Sequence, residues 1–197
     1  MATVDEAVAA LAAGELAVFP TESVYGLGAD ALSPRAVATL VAVRGREPDK
    51  PILVLASDLA MVRLVVRDLP PAATRLARRF WPGPLTLVLP ARTGLAVGLG
   101  AGTDTIGVRV PAHETARALV TGLGRPVTAP SANPPGDEPA HTIGEARAYF
   151  GDRVRAYVDG GRLDGPVSTV VAIDGDRVRI VRAGPIDEMS IRRTLEA

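Results

Sequence analysis

The sequence predicts an α/β fold: a twisted, mixed parallel and antiparallel open sheet with flanking helices, in one domain over residues 1–197. Three observations carry this expectation. Short apolar runs suited to buried strands alternate with segments of helical period, the pattern of an α/β sandwich. The runs 168–173 and 177–182 flank Asp174-Gly175-Asp176 as a hairpin, which brings antiparallel pairing into the sheet. A chain of 197 residues is also long enough for one real core, and no internal repeat or linker divides it.

Thr3 and Glu6 have capping-box spacing, so a helix starts there and runs to Gly14, a good residue just past a helix end. Residues 15–19 follow as a buried strand that stops at Pro20, which has no N–H to continue a ladder. Thr21, Ser23, Tyr25, Gly26 and Gly28 come next. Glycines after a strand end let a backbone come close to a ligand, so this stretch suits the floor of a small-molecule site. An ordinary strand-to-loop turn is the competing reading. Ser33-Pro34 caps and opens a helix with apolar positions at Val37, Leu40 and Val41, ending at Arg44-Gly45-Arg46.

The loop E-P-D-K-P leads to a strand at 52–56, and Ser57 caps a helix over 58–66. Pro70-Pro71 opens another helix, with Ala73, Leu76, Ala77 and Phe80 along one face. W-P-G-P at 81–84 is a rigid turn into a strand at 85–89, and the glycine-rich stretch 91–104 reads as an irregular, mobile surface loop. A strand at 105–110 ends at Pro111 and precedes a helix over 113–122. The strand at 126–129 runs into P-S-A-N-P-P-G-D-E-P, too rich in proline for regular structure. Thr142 caps a helix over 143–150, a strand follows at 155–158, and a short helix at 187–195 comes after the hairpin.

Composition excludes several chemistries. The 22 basic and 22 acidic residues balance, so no global field recruits nucleic acid, although a local basic surface is compatible with that balance. Without cysteine there is no disulfide framework, thiolate nucleophile or Cys-ligated zinc. The start, M-A-T-V-D-E-A, is acidic where a secretion signal would be basic, and no apolar run approaches the ~20 residues of a membrane span. A soluble, cytoplasmic protein is expected. The phosphate-loop, dinucleotide-glycine and H-E-x-x-H patterns are absent. His113 and His141 fall at helix starts, positions for capping or surface. Asp and Glu never cluster as a resident metal would need, so no metal ligand is assigned.

Polar clusters instead fall at strand ends: Thr21 and Ser23; Arg44, Arg46 and Lys50; Thr105 and Arg109; Ser131 and Asn133; Ser168, Thr169 and Arg182. Ligands of open α/β sheets bind where strand ends meet loops. Arginine offers a planar fork that matches phosphate and carboxylate and keeps its charge when partly buried. Arg44, Arg46 and Lys50 lie within seven residues and suit a polyphosphate; a solvated basic loop is the other reading. Arg109 and Arg182 each interrupt an apolar strand, which points to a site or to a buried structural ion pair. Ser131 and Asn133 supply a hydroxyl and an amide, for a ligand or for capping the loop.

Seven segments then point to a family. P-T-E-S-V-Y-G-L-G, R-G-R-E-P-D-K-P, W-P-G-P-L-T-L-V-L, G-V-R-V-P, A-P-S-A-N, S-T-V-V and R-A-G-P-I occur in the order seen in YrdC-type proteins. From about residue 15 to 186 the chain resembles the single-domain threonylcarbamoyl-AMP synthases of the YrdC/YciO/Sua family. The resemblance implies a deep, positively charged cavity within the sheet, and an enzyme of the nucleotidyltransferase type. It would join L-threonine, bicarbonate and ATP into threonylcarbamoyl-adenylate with release of pyrophosphate. A transfer complex would then pass the group to tRNA, and weak binding of tRNA by the chain itself fits the same cavity. No membrane partner is implied.

Carried over by motif, Ser23 and Arg109 would hold threonine, its carboxylate on the arginine, with Ser168 on the threonine side. Arg46, Lys50, Thr105, Asn133 and Arg182 would contact ATP, and Ser131 belongs to the same signature as Asn133. Arg44 and Arg46 would be the catalytic pair. Mg2+ would arrive mainly on the phosphates. The threonine carbamate is already anionic and needs no histidine base to attack the α-phosphorus. Orientation and preorganised positive charge suffice for such a step.

Three positions depart from the family pattern. Arg44 stands where a lysine is usual, Leu55 where many members carry a histidine that helps hold threonine, and Ser23 where threonine is commoner. Arg44→Lys is therefore expected to keep or raise activity. A YciO-like paralogue with another substrate and a non-enzymatic RNA-binding module remain as alternatives. The few aromatic residues, one Trp, three Tyr and three Phe, count against the second. The carbamoyl-adenylate domain of a hydrogenase maturation protein would bring zinc-finger cysteines, which this chain lacks.

Overall fold

In the computed structural model, which describes residues 1–45, 51–95, 97–100, 103–175 and 177–196, the strands divide between two sheets. One sheet had been expected. The smaller holds β1 (Ala17–Pro20), β2 (Tyr25–Gly28) and β7 (Ala156–Tyr157) in the order β2-β1-β7. The larger runs β6-β3-β5-β4-β8-β9, from β3 (Leu53–Leu55), β4 (Leu85–Pro90), β5 (Thr105–Arg109), β6 (Val127–Thr128), β8 (Thr169–Asp174) and β9 (Arg177–Arg182). Parallel pairs (β3 with β5, β4 with β8) alternate with antiparallel ones, so the sheet is mixed as expected.

The strand β2 was not expected, because Y-G-L-G reads as a turn. It pairs antiparallel with β1, Ala17 opposite Gly28 and Pro20 opposite Tyr25. Glycine is there for space: a Cβ on Gly28 would come within 2.9 Å of the Phe19 ring and 3.2 Å of Val127. Pro20 closes the ladder, and the Thr21 N–H donates to the Val24 carbonyl (3.2 Å) to form a tight four-residue turn.

Helix signals were more reliable than loop signals. The Thr3–Glu6 capping box opens α1 (Val4–Ala12), Ser33 caps α2 (Pro34–Arg44), and Thr142 with Glu145 forms the box that opens α7 (Ile143–Phe150). The helix α3 (Leu59–Val62) is shorter than expected and is capped by Asp58, not Ser57: the Asp58 carboxylate accepts the Met61 N–H at 2.8 Å. Proline opens α4 (Pro71–Phe80), after a cis bond at Trp81–Pro82 the chain enters β4, and the stretch 91–104 contains a helical turn, α5 (Val97–Gly100). Leu99 is buried there and its carbonyl accepts the Ile52 N–H, because one apolar side chain suffices to dock a short turn on the core. The helix α6 (Glu114–Leu123) packs on α1, and α8 (Glu188–Glu196) packs on α4.

Along β4, β5 and β8 successive side chains point to opposite faces of the larger sheet. Leu85, Leu87 and Leu89 of β4, Ile106 and Val108 of β5, and Val171 and Ile173 of β8 are buried in the main core. Each such side chain contributes about 1.5–3 kcal/mol by leaving water. The residues between them face the other way, toward a cavity.

Candidate active site

That cavity has a volume of about 670 Å3 and lies over the second face of the larger sheet. Its floor follows from the register. Leu53 and Gly107 pair across β3 and β5, and Gly107 pairs with Val88 of β4. One row further along, Leu55, Arg109, Thr86 and Val170 lie side by side. The opposite wall comes from the turn after β1 and from the proline-rich loop, with Ser23, Arg44 and Ser131 among its residues.

Arg109 is the most constrained charge in the cavity. It is 4% exposed, its Nε donates to the Gly83 carbonyl at 2.9 Å, and its Nη2 lies 2.6 Å from Glu22 Oε1. The W-P-G-P turn is what places Gly83 there, since the Gly83 N–H itself donates to the Val110 carbonyl. Burial pushes the Arg109 guanidinium below the ordinary arginine value, Glu22 pulls it back up, and the like charge of Arg182 pushes it down. Arg182 is displaced in the same direction by burial. Its Nε and Nη2 donate to the Ser168 carbonyl (3.1 and 2.8 Å) and its Nη2 also reaches Ser168 Oγ at 3.1 Å. Ser168 Oγ is in turn 2.8 Å from Thr86 Oγ1. Both arginines keep Nη1 uncommitted among the described residues. Two cations approaching one another in a cavity repel until an anion sits between them, so the arrangement favours carboxylate or phosphate.

Arg44 is also buried, at the last position of α2. Its Nε donates to the Ser131 carbonyl at 2.9 Å and its Nη2 to Ser131 Oγ at 3.4 Å, so it positions the proline-rich loop. Ser23 is 7% exposed, in the four-residue turn. The structure thus gathers Ser23, Arg44, Arg109, Ser131, Ser168 and Arg182 around one cavity. Thr105 shares the strand face of Gly107 and Arg109 but lies one row beyond the lining, against Thr103 Oγ1 at 3.0 Å. Asn133 is buried behind the wall, its Nδ2 donating to the carbonyls of Pro134 and Asp137 while its Oδ1 has no partner. Arg46 and Lys50 lie outside the described residues.

Two residues escaped the sequence reading. Glu22 joins the walls: besides Arg109, its Oε1 accepts the N–H of Ala112 (2.7 Å) and of His113 (3.3 Å) at the entry to α6, a favourable place for a carboxylate. Its Oε2 is buried without a partner. Thr86 is the only polar residue of L-T-L-V-L, the same signal that marked Arg109. Among the described residues no group of three or more His, Asp or Glu could hold a metal ion, and the carboxylate lining the cavity, Glu22, is committed to Arg109 and to backbone N–H groups. No described helix is long and apolar enough to cross a membrane.

An open mixed α/β sheet with arginines converging on a cavity over its face defines an anion-binding enzyme-like scaffold. The chain belongs to the Sua5/YciO/YrdC family, whose model, described as "Telomere recombination", matches residues 9–184. It is 38% identical over 182 residues to the threonylcarbamoyl-AMP synthase of Pyrococcus abyssi, an alignment covering 89% of this chain and 53% of that protein. It is 39% identical over 162 residues to the threonylcarbamoyl-AMP synthase of Halorhodospira halophila, covering 82% of this chain and 84% of that one. The chain therefore spans about half the length of the first relative and most of the second. Among solved structures it resembles P. abyssi Sua5 complexed with L-threonine, with a TM-score of 0.90 at 35% identity, over 97% of this chain and 56% of that one. It also resembles E. coli YciO, with a TM-score of 0.83 at 26% identity over 95% of this chain and 92% of that one.

Proposed function

We propose that the chain is an L-threonylcarbamoyladenylate synthase, a nucleotidyltransferase that acts on L-threonine, bicarbonate and ATP. The observation that carries this reading is the guanidinium pair, Arg109 and Arg182, fixed through Gly83, Glu22 and Ser168 with Nη1 of each uncommitted among the described residues. The threonine-bound Sua5 relative and the synthase relatives support it.

In this reading Arg109 takes the threonine carboxylate, with Ser23 and Ser168 beside it. Bicarbonate takes up a proton and loses water to give CO2; the neutral threonine amine forms a C–N bond to that CO2 and releases one proton to solvent, leaving an anionic carbamate. A carbamate oxygen then attacks the α-phosphorus of ATP as the bond to the β-phosphate bridging oxygen breaks, and pyrophosphate departs with that electron pair. Arg46, Lys50, Thr105, Asn133 and Arg182 hold the nucleotide, Ser131 stands with them, and Arg44 and Arg46 offset the charge of the two anions. Holding two anions in line in a partly dry cavity accounts for the catalysis without a proton-transfer side chain. Mg2+ enters on the phosphates, and no step is assigned to it. The product would be consumed in the cytoplasm by a complex that transfers the threonylcarbamoyl group to tRNA.

The test is pyrophosphate release from ATP and bicarbonate with and without L-threonine, the nucleotide product being weighed by mass spectrometry. Threonine-dependent release with the adduct mass is expected. Leu55, 1% exposed on the cavity floor where many family members carry histidine, favours one second reading, a YciO-like paralogue. Release only with another amino acid would establish that reading instead.

A further inference from the structure

On β5, residues Thr105, Gly107 and Arg109 share the cavity-facing side of the strand, in that order. A glycine in a strand interior weakens the strand and exposes no side chain to pack, so its presence needs a reason. Among the described residues the protein supplies none here. A Cβ on Gly107 would meet Thr86 Cγ2 at 3.6 Å, Leu53 Cα at 3.8 Å and Leu53 Cδ1 at 4.0 Å, all ordinary van der Waals contacts. Gly28 and Gly107 differ in this respect: the first is forced by a ring at 2.9 Å, whereas the second is a buried glycine whose described neighbours would accept a methyl group. What the methyl would occupy is the cavity floor, between Leu53 and Val88.

We infer that Gly107 is the contact surface beneath the junction of the two substrates, where the carbamate oxygen meets the α-phosphate. The inference rests on the reading above, in which Arg109 anchors the amino acid and Thr105 lies toward the nucleotide. Those two residues are about 13 Å apart along the strand, and Gly107 is midway between them. A side chain there stands under the forming bond and not under either substrate's anchoring groups. The reactants would each still bind, but would be lifted out of line with one another. An ångström of misplacement suffices to slow such a step by about 100-fold.

Gly107→Ala and Gly107→Val test this by thermal unfolding, by calorimetric titration with ATP and with L-threonine plus bicarbonate, and by steady-state turnover. The expected result is a melting temperature at or above the wild-type value for Gly107→Ala. Each substrate alone should bind within about 3-fold of wild type, while kcat falls about 10-fold for alanine and about 100-fold for valine. Wild-type kcat in both variants would overturn the inference. Loss of binding for one substrate alone would also overturn it, by assigning the floor to that substrate. A fall of several degrees in Gly107→Ala would show that the chain, not the ligand, needs the glycine. Absence of the adduct from the wild-type protein would overturn the reading of the activity and this inference together, whereas an active wild type with an equally active valine variant sinks this inference alone.

Discussion

The two walls of the cavity are held by different means. Arg109, Thr86, Ser168 and Arg182 stand on or beside neighbouring strands, so the ladder register fixes where each one points, and side-chain hydrogen bonds link them. Ser23 and Ser131 stand in a turn and a proline-rich loop, tied down by the isolated pairing of Gly26 with Ser131 and by Arg44. Glu22 connects the walls, because it leaves the turn to meet Arg109 on the sheet. The sheet wall is therefore preorganised by the fold, while the loop wall depends on a few contacts made by single side chains.

The largest effect should come from the sheet wall. Arg109→Ala removes a cation facing the substrate and leaves the Glu22 carboxylate, 22% exposed, without its counter-charge. Breaking a buried ion pair this way costs about 3–5 kcal/mol of stability. Threonine-dependent turnover should fall by a further 10²–10³-fold or so, the scale set by loss of one preorganised charge donor. Thermal unfolding and pyrophosphate release read the two effects separately. Turnover close to wild type would mean that the sheet wall does not hold substrate.

Glu22 probes the tie between the walls. Glu22→Gln keeps an oxygen for the Ala112 and His113 N–H groups but removes the charge opposite Arg109. The fold should survive with a loss of about 1.5–3 kcal/mol, the worth of a hydrogen bond to a charged group. The KM for threonine should rise about 10-fold, with the KM for ATP unmoved, whereas Glu22→Ala should lower stability further. An equal rise in both KM values would show that Glu22 supports the cavity as a whole instead of its amino-acid side.

How much of this was legible follows the same division. Arg109 stood out as a charge inside an apolar strand, a signal that needs no knowledge of partners, whereas β9 reads R-V-R-I-V-R and its other two arginines weaken the same signal for Arg182. Thr86 gives a weaker form of it, since threonine suits any strand. The role of Glu22 could not be read, because its partner lies far away in sequence and on the other sheet. The split into two sheets was equally hidden: apolar runs announce strands but not which strands pair, and the glycines of β2 concealed a strand altogether. Ser131 and Asn133 showed in the sequence as a polar pair at a strand end, where ligand binding and loop capping read alike, and only the resemblance assigned them to the nucleotide.

The loop wall offers a smaller test. The family pattern suggests that lysine at position 44 would be harmless or better. The structure points the other way, because Nε and Nη2 of Arg44 hold the carbonyl and the hydroxyl of Ser131 together. One ammonium on a flexible stem cannot reproduce that fork. Arg44→Lys should lose about one hydrogen bond, near 1 kcal/mol, and reduce turnover about 5-fold. Unchanged or higher activity would show that the loop wall tolerates a looser hold than the sheet wall.

The smallest effect should lie outside both walls. Asp58 caps α3, accepting the Met61 N–H at 2.8 Å and the Ser57 hydroxyl at 3.0 Å. The backbone hydrogen bond to Met61, chiefly, holds its carboxyl below the ordinary aspartate value. Because the folded value is the lower one, the stabilisation is fully present above the unfolded aspartate value of about 3.9 and is lost as pH falls through the folded one. Asp58→Ala should therefore cost about 1 kcal/mol at pH 7, or about 2–4 °C in melting temperature, and that difference from wild type should narrow as pH falls below the unfolded aspartate value of about 3.9. Turnover at 25 °C should not change, since the cap touches neither wall. If the Asp58 variant lost activity in step with its stability, the effects at Glu22 and Arg44 would reflect general loosening of the fold, and the distinction between the two walls would fail.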